Sequence, residues 1–243
     1  MNDIRYENIA DNVSIAEDRR GLILTTDACL LSAFVSKNAK QSACELGAGS
    51  GIISAMLLQS GKIGSSVCVD FQRDMCALAK KNAAENGLSG KMSVVCADVL
   101  EYKSEKKFDM VLSNPPYFKS GDGKKNVSEK DRLCRHESTA TVKDFAKCAA
   151  RILKDGGLAY FCYTPQRLSE LLSALSNSGL EPKKLITVYP TVSHKPSLVL
   201  VSAKKGAGGG IEFCRPLVIY KNEAGKEYSD DYIKIKTENR IKL

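Results

Sequence analysis

The chain has 243 residues, of which 43% are hydrophobic and 26% charged, an ordinary balance for a soluble globular protein with room for one large α/β core. Its 36 Lys and Arg exceed its 28 Asp and Glu, for a net charge of +8, which suits a polyanionic partner such as RNA or DNA without requiring one. Nine cysteines occur with no Cys-x-x-Cys pair and only two histidines, His136 and His194, so no structural zinc site is expected and a reducing cytoplasm is the simplest home. The first residues lack an apolar signal core, and no run approaches membrane-spanning length.

Residues 1–40 read as a partly extended N-terminal extension, 41–205 as the core, and 206–243 as a C-terminal strand with a basic tail, all within one domain. Ser42–Leu46 is a short apolar run that ends in glycines, and Ile52–Gln59 reads as a helix. Val67–Asp70 is a second strand, and Arg73–Asn86 is a long helix that stops at Gly87, as helices often do. Ser93–Cys96 and Phe108–Ser113 are the third and fourth strands. Val142–Leu153 is helical and closed by Asp155-Gly156-Gly157, and Leu158–Tyr163 is a fifth strand. A helix (Pro165–Asn177) and apolar runs at Lys184–Tyr189 and Ser197–Ala203 follow. Ile211–Tyr220 has strand character, and Ile233–Leu243 fits either a short helix or a disordered end. Short apolar strands between helices indicate an α/β fold whose parallel sheet is covered on both faces. In such strands Cys44, Cys68, Cys96 and Cys162 act as small hydrophobes.

The most informative segment is Asn114-Pro115-Pro116-Tyr117, at the end of the fourth strand. Neither proline has an N–H, so the ladder stops there in a stiff, donor-free corner. A flat group bearing an amino substituent fits between the Asn114 amide and the Tyr117 ring. The plain alternative is a strand-ending turn with an aromatic anchor.

Glu45-Leu46-Gly47-Ala48-Gly49-Ser50-Gly51 follows the first strand and opens a helix. Glycines let backbone turn sharply and approach a ligand, and a helix N-terminus offers free N–H groups. The spacing is Gly-x-Gly-x-Gly, and an acid precedes it. That acid repels a pyrophosphate and favours an amino group, so the loop argues against a dinucleotide. Asp70 closes the second strand, suited to ribose hydroxyls, and Asp98 follows the third, suited to an adenine amine. Each alone is more readily a helix cap or a loop acid. Together with Asn114 they fall at the carboxyl ends of four successive strands, the edge where open parallel sheets bind ligands.

These residues resemble the class I S-adenosylmethionine-dependent methyltransferases of the Asn-Pro-Pro-Tyr, amino-methylating type. Thr25-Thr26-Asp27-Ala28-Cys29-Leu30-Leu31 is similar to a Gly-Thr-Asp-x-x-Leu-Leu segment of the bacterial valine-tRNA adenine-N6 methyltransferases, with Thr25 in place of glycine. Pro196–Val201, Pro216–Tyr220 and Tyr228–Tyr232 also resemble blocks of that family. The resemblance implies a doubly wound, mostly parallel, seven-stranded Rossmann-like sheet with helices on both faces. It implies S-adenosyl-L-methionine as cofactor, held by Thr26, Glu45, Gly47, Gly49, Gly51, Asp70, Asp98 and Asn114, with Glu45 near the ammonium group. Asn114, Pro115, Pro116 and Tyr117 would form the catalytic corner, and Phe118 a second apolar face. Neither a metal nor a membrane is implied, and the oligomeric state stays open.

The implied partner is tRNA, with the N6 amine of an adenine as target. Lys119–Arg135 follows the corner as a basic loop, in which Lys124, Lys125, Arg132 and Arg135 are candidates for phosphate contacts. Lys234, Lys236, Arg240 and Lys242 in the tail are weaker candidates, and His136 is a structural or positioning residue. A protein-glutamine methyltransferase acting on a release factor shares the corner, but that type carries a helical domain ahead of the glycine loop. A DNA adenine methyltransferase needs a target-recognition region for which the chain has little room. A non-catalytic RNA-binding protein on this fold would not need the intact corner.

Overall fold

The computed structural model describes residues 4–10, 13–18, 26–38, 40–116, 140–225 and 227–241, with the backbone alone for the first two stretches. Tyr117, Phe118 and the whole basic loop, including Lys124, Lys125, Arg132, Arg135 and His136, lie outside the described residues, as do Thr25 and Lys242.

An antiparallel pair, β1 (Ile4–Ala10) and β2 (Val13–Asp18), gives the partly extended N-terminal region its form. Then follow α1 (Thr26–Phe34), β3 (Ser42–Leu46), α2 (Ile52–Gln59), β4 (Ser65–Asp70), α3 (Arg73–Glu85), β5 (Met92–Cys96) and β6 (Phe108–Ser113). After these come α4 (Val142–Ile152), β7 (Leu153–Tyr163), α5 (Leu168–Asn177), β8 (Leu180–Tyr189) and β9 (Leu198–Lys205). The short strands β10 (Glu212–Phe213) and β11 (Leu217–Val218) and the helix α6 (Asp230–Glu238) complete the order.

Among the described residues the main sheet has nine strands. Seven run in the order β8-β9-β7-β6-β3-β4-β5, and β10 and β11 both pair with the outer edge of β8. The two short strands account for the difference from the expected seven. Among these strands only β9 is antiparallel to its neighbours, β7 and β8. The order reverses beside β3, which pairs with β4 on one side and β6 on the other.

Alternation along the strands divides the apolar residues between the two faces. Ala43, Met110, Leu112, Tyr160 and Cys162 face α1, α2 and α3, whereas Cys44, Leu46, Val111, Ala159, Phe161 and Tyr163 face α4 and α5. α4 starts in a capping arrangement, with the Asp144 carboxylate accepting from Thr141 N at 2.9 Å and Oγ1 at 2.7 Å. The C-terminal end of α1 is closed by a buried lysine. Lys62 Nζ donates to the carbonyls of Ser32 (2.8 Å), Ala33 (3.0 Å) and Val35 (2.8 Å). Burial, followed by the nearby Arg240 charge, lowers its pKa to about 7.

Several local expectations change. Asp155-Gly156-Gly157 does not close a helix. β7 begins at Leu153 and runs through it, because Phe108 pairs with Leu153 across a register shift. Pro165–Arg167 is a separate 3₁₀ turn before α5. Cys96 is exposed rather than a core residue, since β5 is the edge strand of the sheet. The tail forms α6, and Ile241 N donates back to the Ala33 carbonyl at 3.2 Å.

Candidate active site

β3, β4, β5 and β6 are mutually parallel, so the glycine loop, Asp70, Asp98 and Asn114 reach the same edge of the sheet. The loop is held by its neighbours at every residue from Leu46 to Ser50. Gly47 N and Ala48 N donate to the Val69 carbonyl at 2.9 and 3.1 Å. Gly49 N donates to Asp70 Oδ2 at 2.8 Å. The Ser50 carbonyl accepts from the buried Asn82 Nδ2 of α3 at 3.0 Å. The Leu46 carbonyl accepts from Ser113 Oγ of β6 at 2.9 Å.

Gly47, Gly49 and Gly51 all have positive φ (69°, 53° and 75°), a region L side chains rarely adopt. Gly51 has a second constraint. A Cβ there would lie 2.3 Å from Met92 Cε, so this glycine lets the start of α2 pack against β5 and α3.

Asp70 is 5% exposed, and Gln72 N donates to its Oδ1 at 2.9 Å. Burial raises its pKa, opposed by the backbone donors at Gln72, Gly49 and Phe71. Each carboxylate oxygen has a further lone pair, so a pair of ribose hydroxyls could donate to them.

Glu45 lies beneath α2 rather than in the open loop. It is 2% exposed, and Oε2 accepts from Ser54 N at 2.9 Å and Ser54 Oγ at 2.5 Å. Ser54 Oγ also meets Ser66 Oγ at 2.7 Å. Burial pushes the Glu45 pKa up to about 7, against the Ser54 hydrogen bonds. Its side chain therefore braces the first turn of α2, under the loop.

Asp98 turns the chain after β5. Its Oδ1 accepts from Leu100 N at 2.9 Å, and its carbonyl from Glu101 N and Tyr102 N. Arg151 of α4 fastens this turn, donating to Val99 O at 3.0 Å and to Tyr102 O at 2.7 Å. Asn114 is half-buried directly after Ser113, with Pro115 buried and Pro116 exposed. Thr26 opens α1, close to Tyr232 of α6, whose pKa burial pushes up to about 12 with Thr26 acting against the shift.

The model of the methyltransferase small domain family matches residues 25–175, more than half of the chain. The chain belongs to this family. Among relatives of this methyltransferase is a Vibrio campbellii protein named tRNA1(Val) (adenine(37)-N6)-methyltransferase, 25% identical over 230 residues, covering 95% of this chain and 93% of the relative. A Parabacteroides distasonis protein of the same name is 28% identical over 191 residues, covering 77% and 79%. A solved structure described as a predicted O-methyltransferase, Atu636 from Agrobacterium tumefaciens, has the same fold with a TM-score of 0.71. It is 19% identical and covers 89% of this chain and 98% of its own.

Four residues that brace the methyltransferase's site were not singled out from sequence: Ser54, Asn82, Ser113 and Arg151. Asn82 carries a usable signal, a polar residue on the apolar side of an otherwise amphipathic helix. Among the described residues, no group of three or more His, Cys, Asp or Glu could hold a metal ion, and no helix is long and apolar enough to cross a membrane.

Proposed function

We propose that this methyltransferase transfers a methyl group from S-adenosylmethionine to the exocyclic N6 amine of an adenine in tRNA, in the anticodon loop of a valine tRNA. The observation that carries this reading is the placement of Asn114, at the end of a strand whose last residue, Ser113, is bonded to the base of the glycine loop. The amine acceptor and the loop that would hold the methyl donor are thereby adjacent. Relatives that align over most of both chains carry the tRNA adenine-N6 name.

When bound, S-adenosylmethionine supplies an electrophilic methyl group on a sulfonium. Asp70 would accept from its ribose hydroxyls, Asp98 from its adenine amine, and Gly47 and Gly49 would shape the backbone around its methionine part. The target amine is a weak nucleophile because its lone pair is delocalised into the ring. The Asn114 side-chain oxygen and the Pro115 carbonyl would accept its two hydrogens, freeing the lone pair toward the methyl group. Tyr117 would stack on the base and Phe118 cover it. Transfer is then a direct displacement, and positioning of this kind lowers barriers by roughly 7–11 kcal/mol. The base must first leave its stack, which costs least in an unpaired loop.

The test supplies labelled S-adenosylmethionine to the protein with tRNA and release factor from cells lacking it. Label on an adenine of valine tRNA supports the reading. Label on a glutamine of the release factor overturns it in favour of the glutamine-methylating type.

A further inference from the structure

The opposite edge of the sheet, where the parallel strands begin, holds a cleft of about 630 Å³. It is lined by Lys91, Lys106, Lys107 and Lys154 with several serines, and among the described residues no Asp or Glu is part of the lining. Lys40, just ahead of β3, and Lys204, near the end of antiparallel β9, extend the basic character along the same edge. The acids there are largely committed. Asp109 binds Lys154 at 2.6 Å and the Ser42 amide at 2.9 Å, and Asp155 pairs with Lys205 at 3.3 Å. Lys107 Nζ is held by the Arg151 carbonyl at 2.6 Å. Lys91 and Lys106 are exposed and make no ion pair among the described residues.

Among the described residues, the glycine-loop edge presents the carboxylates of Asp70, Asp98 and Glu101 beside the last residues of β4 and β5. A positive cleft with hydroxyl donors and two uncommitted ammonium groups is chemistry for phosphate oxygens, not for the methyl donor.

We infer that this cleft is a second contact surface for the substrate RNA, holding backbone phosphates of the stem while the target base lies at Asn114. This rests on the tRNA reading above. β6 runs from the cleft, at Lys107 and Phe108, to Asn114, and its length separates the two sites by roughly 20 Å, a span that a stacked stem of several base pairs covers. The cleft thus reads RNA length and shape rather than sequence, and it raises the affinity of a folded tRNA above that of a loop alone.

The experiment compares wild type with the double variant Lys91→Glu/Lys106→Glu on full-length tRNA and on a short single-stranded oligonucleotide of the loop sequence. On tRNA the variant raises KM about tenfold with kcat unchanged, and the slope of log affinity against log salt becomes shallower by about 2. On the oligonucleotide KM stays at the wild-type value. A variant with wild-type KM and salt slope on tRNA overturns the inference, as does an equal loss on both substrates. If wild type methylates tRNA and the variant matches it, only the cleft assignment fails. If wild type labels the release factor and neither RNA, the tRNA reading fails and takes the cleft with it.

Discussion

Ser113 Oγ donates to the Leu46 carbonyl at 2.9 Å, a bond between the last residues of two paired parallel strands. Leu46 leads into the glycine loop and Ser113 into Asn114, so this hydroxyl adds to the β3–β6 ladder in holding the two halves of the site together. Ser113 is fully buried, and no water can replace the bond without a rearrangement. Ser113→Ala is expected to lower kcat by about 10- to 100-fold, the cost of a small misplacement of reacting groups. Calorimetric affinity for S-adenosylmethionine is expected to hold, and stability to fall by only about 1 kcal/mol. Equal losses in affinity and kcat would show that Ser113 supports the loop and not the alignment.

Asp70 both pins the loop, through Gly49 N, and faces the expected position of the ribose. Asp70→Ala therefore removes the proposed ribose contact and loosens the loop together. The expected result is at least a tenfold weaker affinity for S-adenosylmethionine, equivalent to about 1.4 kcal/mol, with tRNA affinity little changed. Unchanged cofactor affinity in a calorimeter refutes the assignment.

Glu45 makes stability depend on pH. Its pKa in the folded protein is about 7, above the ordinary 4.5, so the folded state keeps a proton that the unfolded state has lost. Stability from this group is therefore full below about pH 4.5 and declines as pH rises to about 7. A shift of that size corresponds to a penalty on the order of 3 kcal/mol at pH 8. Glu45→Gln keeps an acceptor for Ser54 and removes the charge. Urea unfolding of this variant is expected to give a flatter profile from pH 5 to 8 and a higher midpoint at pH 8. A wild-type slope in the variant assigns the effect to another group.

Much of the site can be read from the order of residues along the chain. Asp70, Asp98 and Asn114 each end or follow a short apolar strand, and parallel strands between helices must bring such ends to one edge. The backbone demand of the glycine loop is equally visible. Glu45 is ambiguous in sequence, because a loop acid and a buried strand acid look alike. Strand alternation puts it on the face of Ala43, against α2, and the Ser54 that receives it lies nine residues on. The basic cleft has no sequence signature. Lys91, Lys106 and Lys154 come from three separate segments that the sheet order assembles, whereas in sequence the basic run at Lys119–Arg135 is the evident candidate for RNA contacts.

Asn114 carries the central claim, that the corner after β6 activates an adenine amine toward a methyl donor in the neighbouring loop. The most direct measurement is single-turnover methylation of unmodified valine tRNA by Asn114→Ala, alongside calorimetric binding of S-adenosylmethionine. Loss of one preorganised polar contact to the reacting group is expected to slow methyl transfer by about 100-fold or more. Cofactor affinity is expected to stay close to wild type. A variant that methylates the tRNA at the wild-type rate would contradict the account.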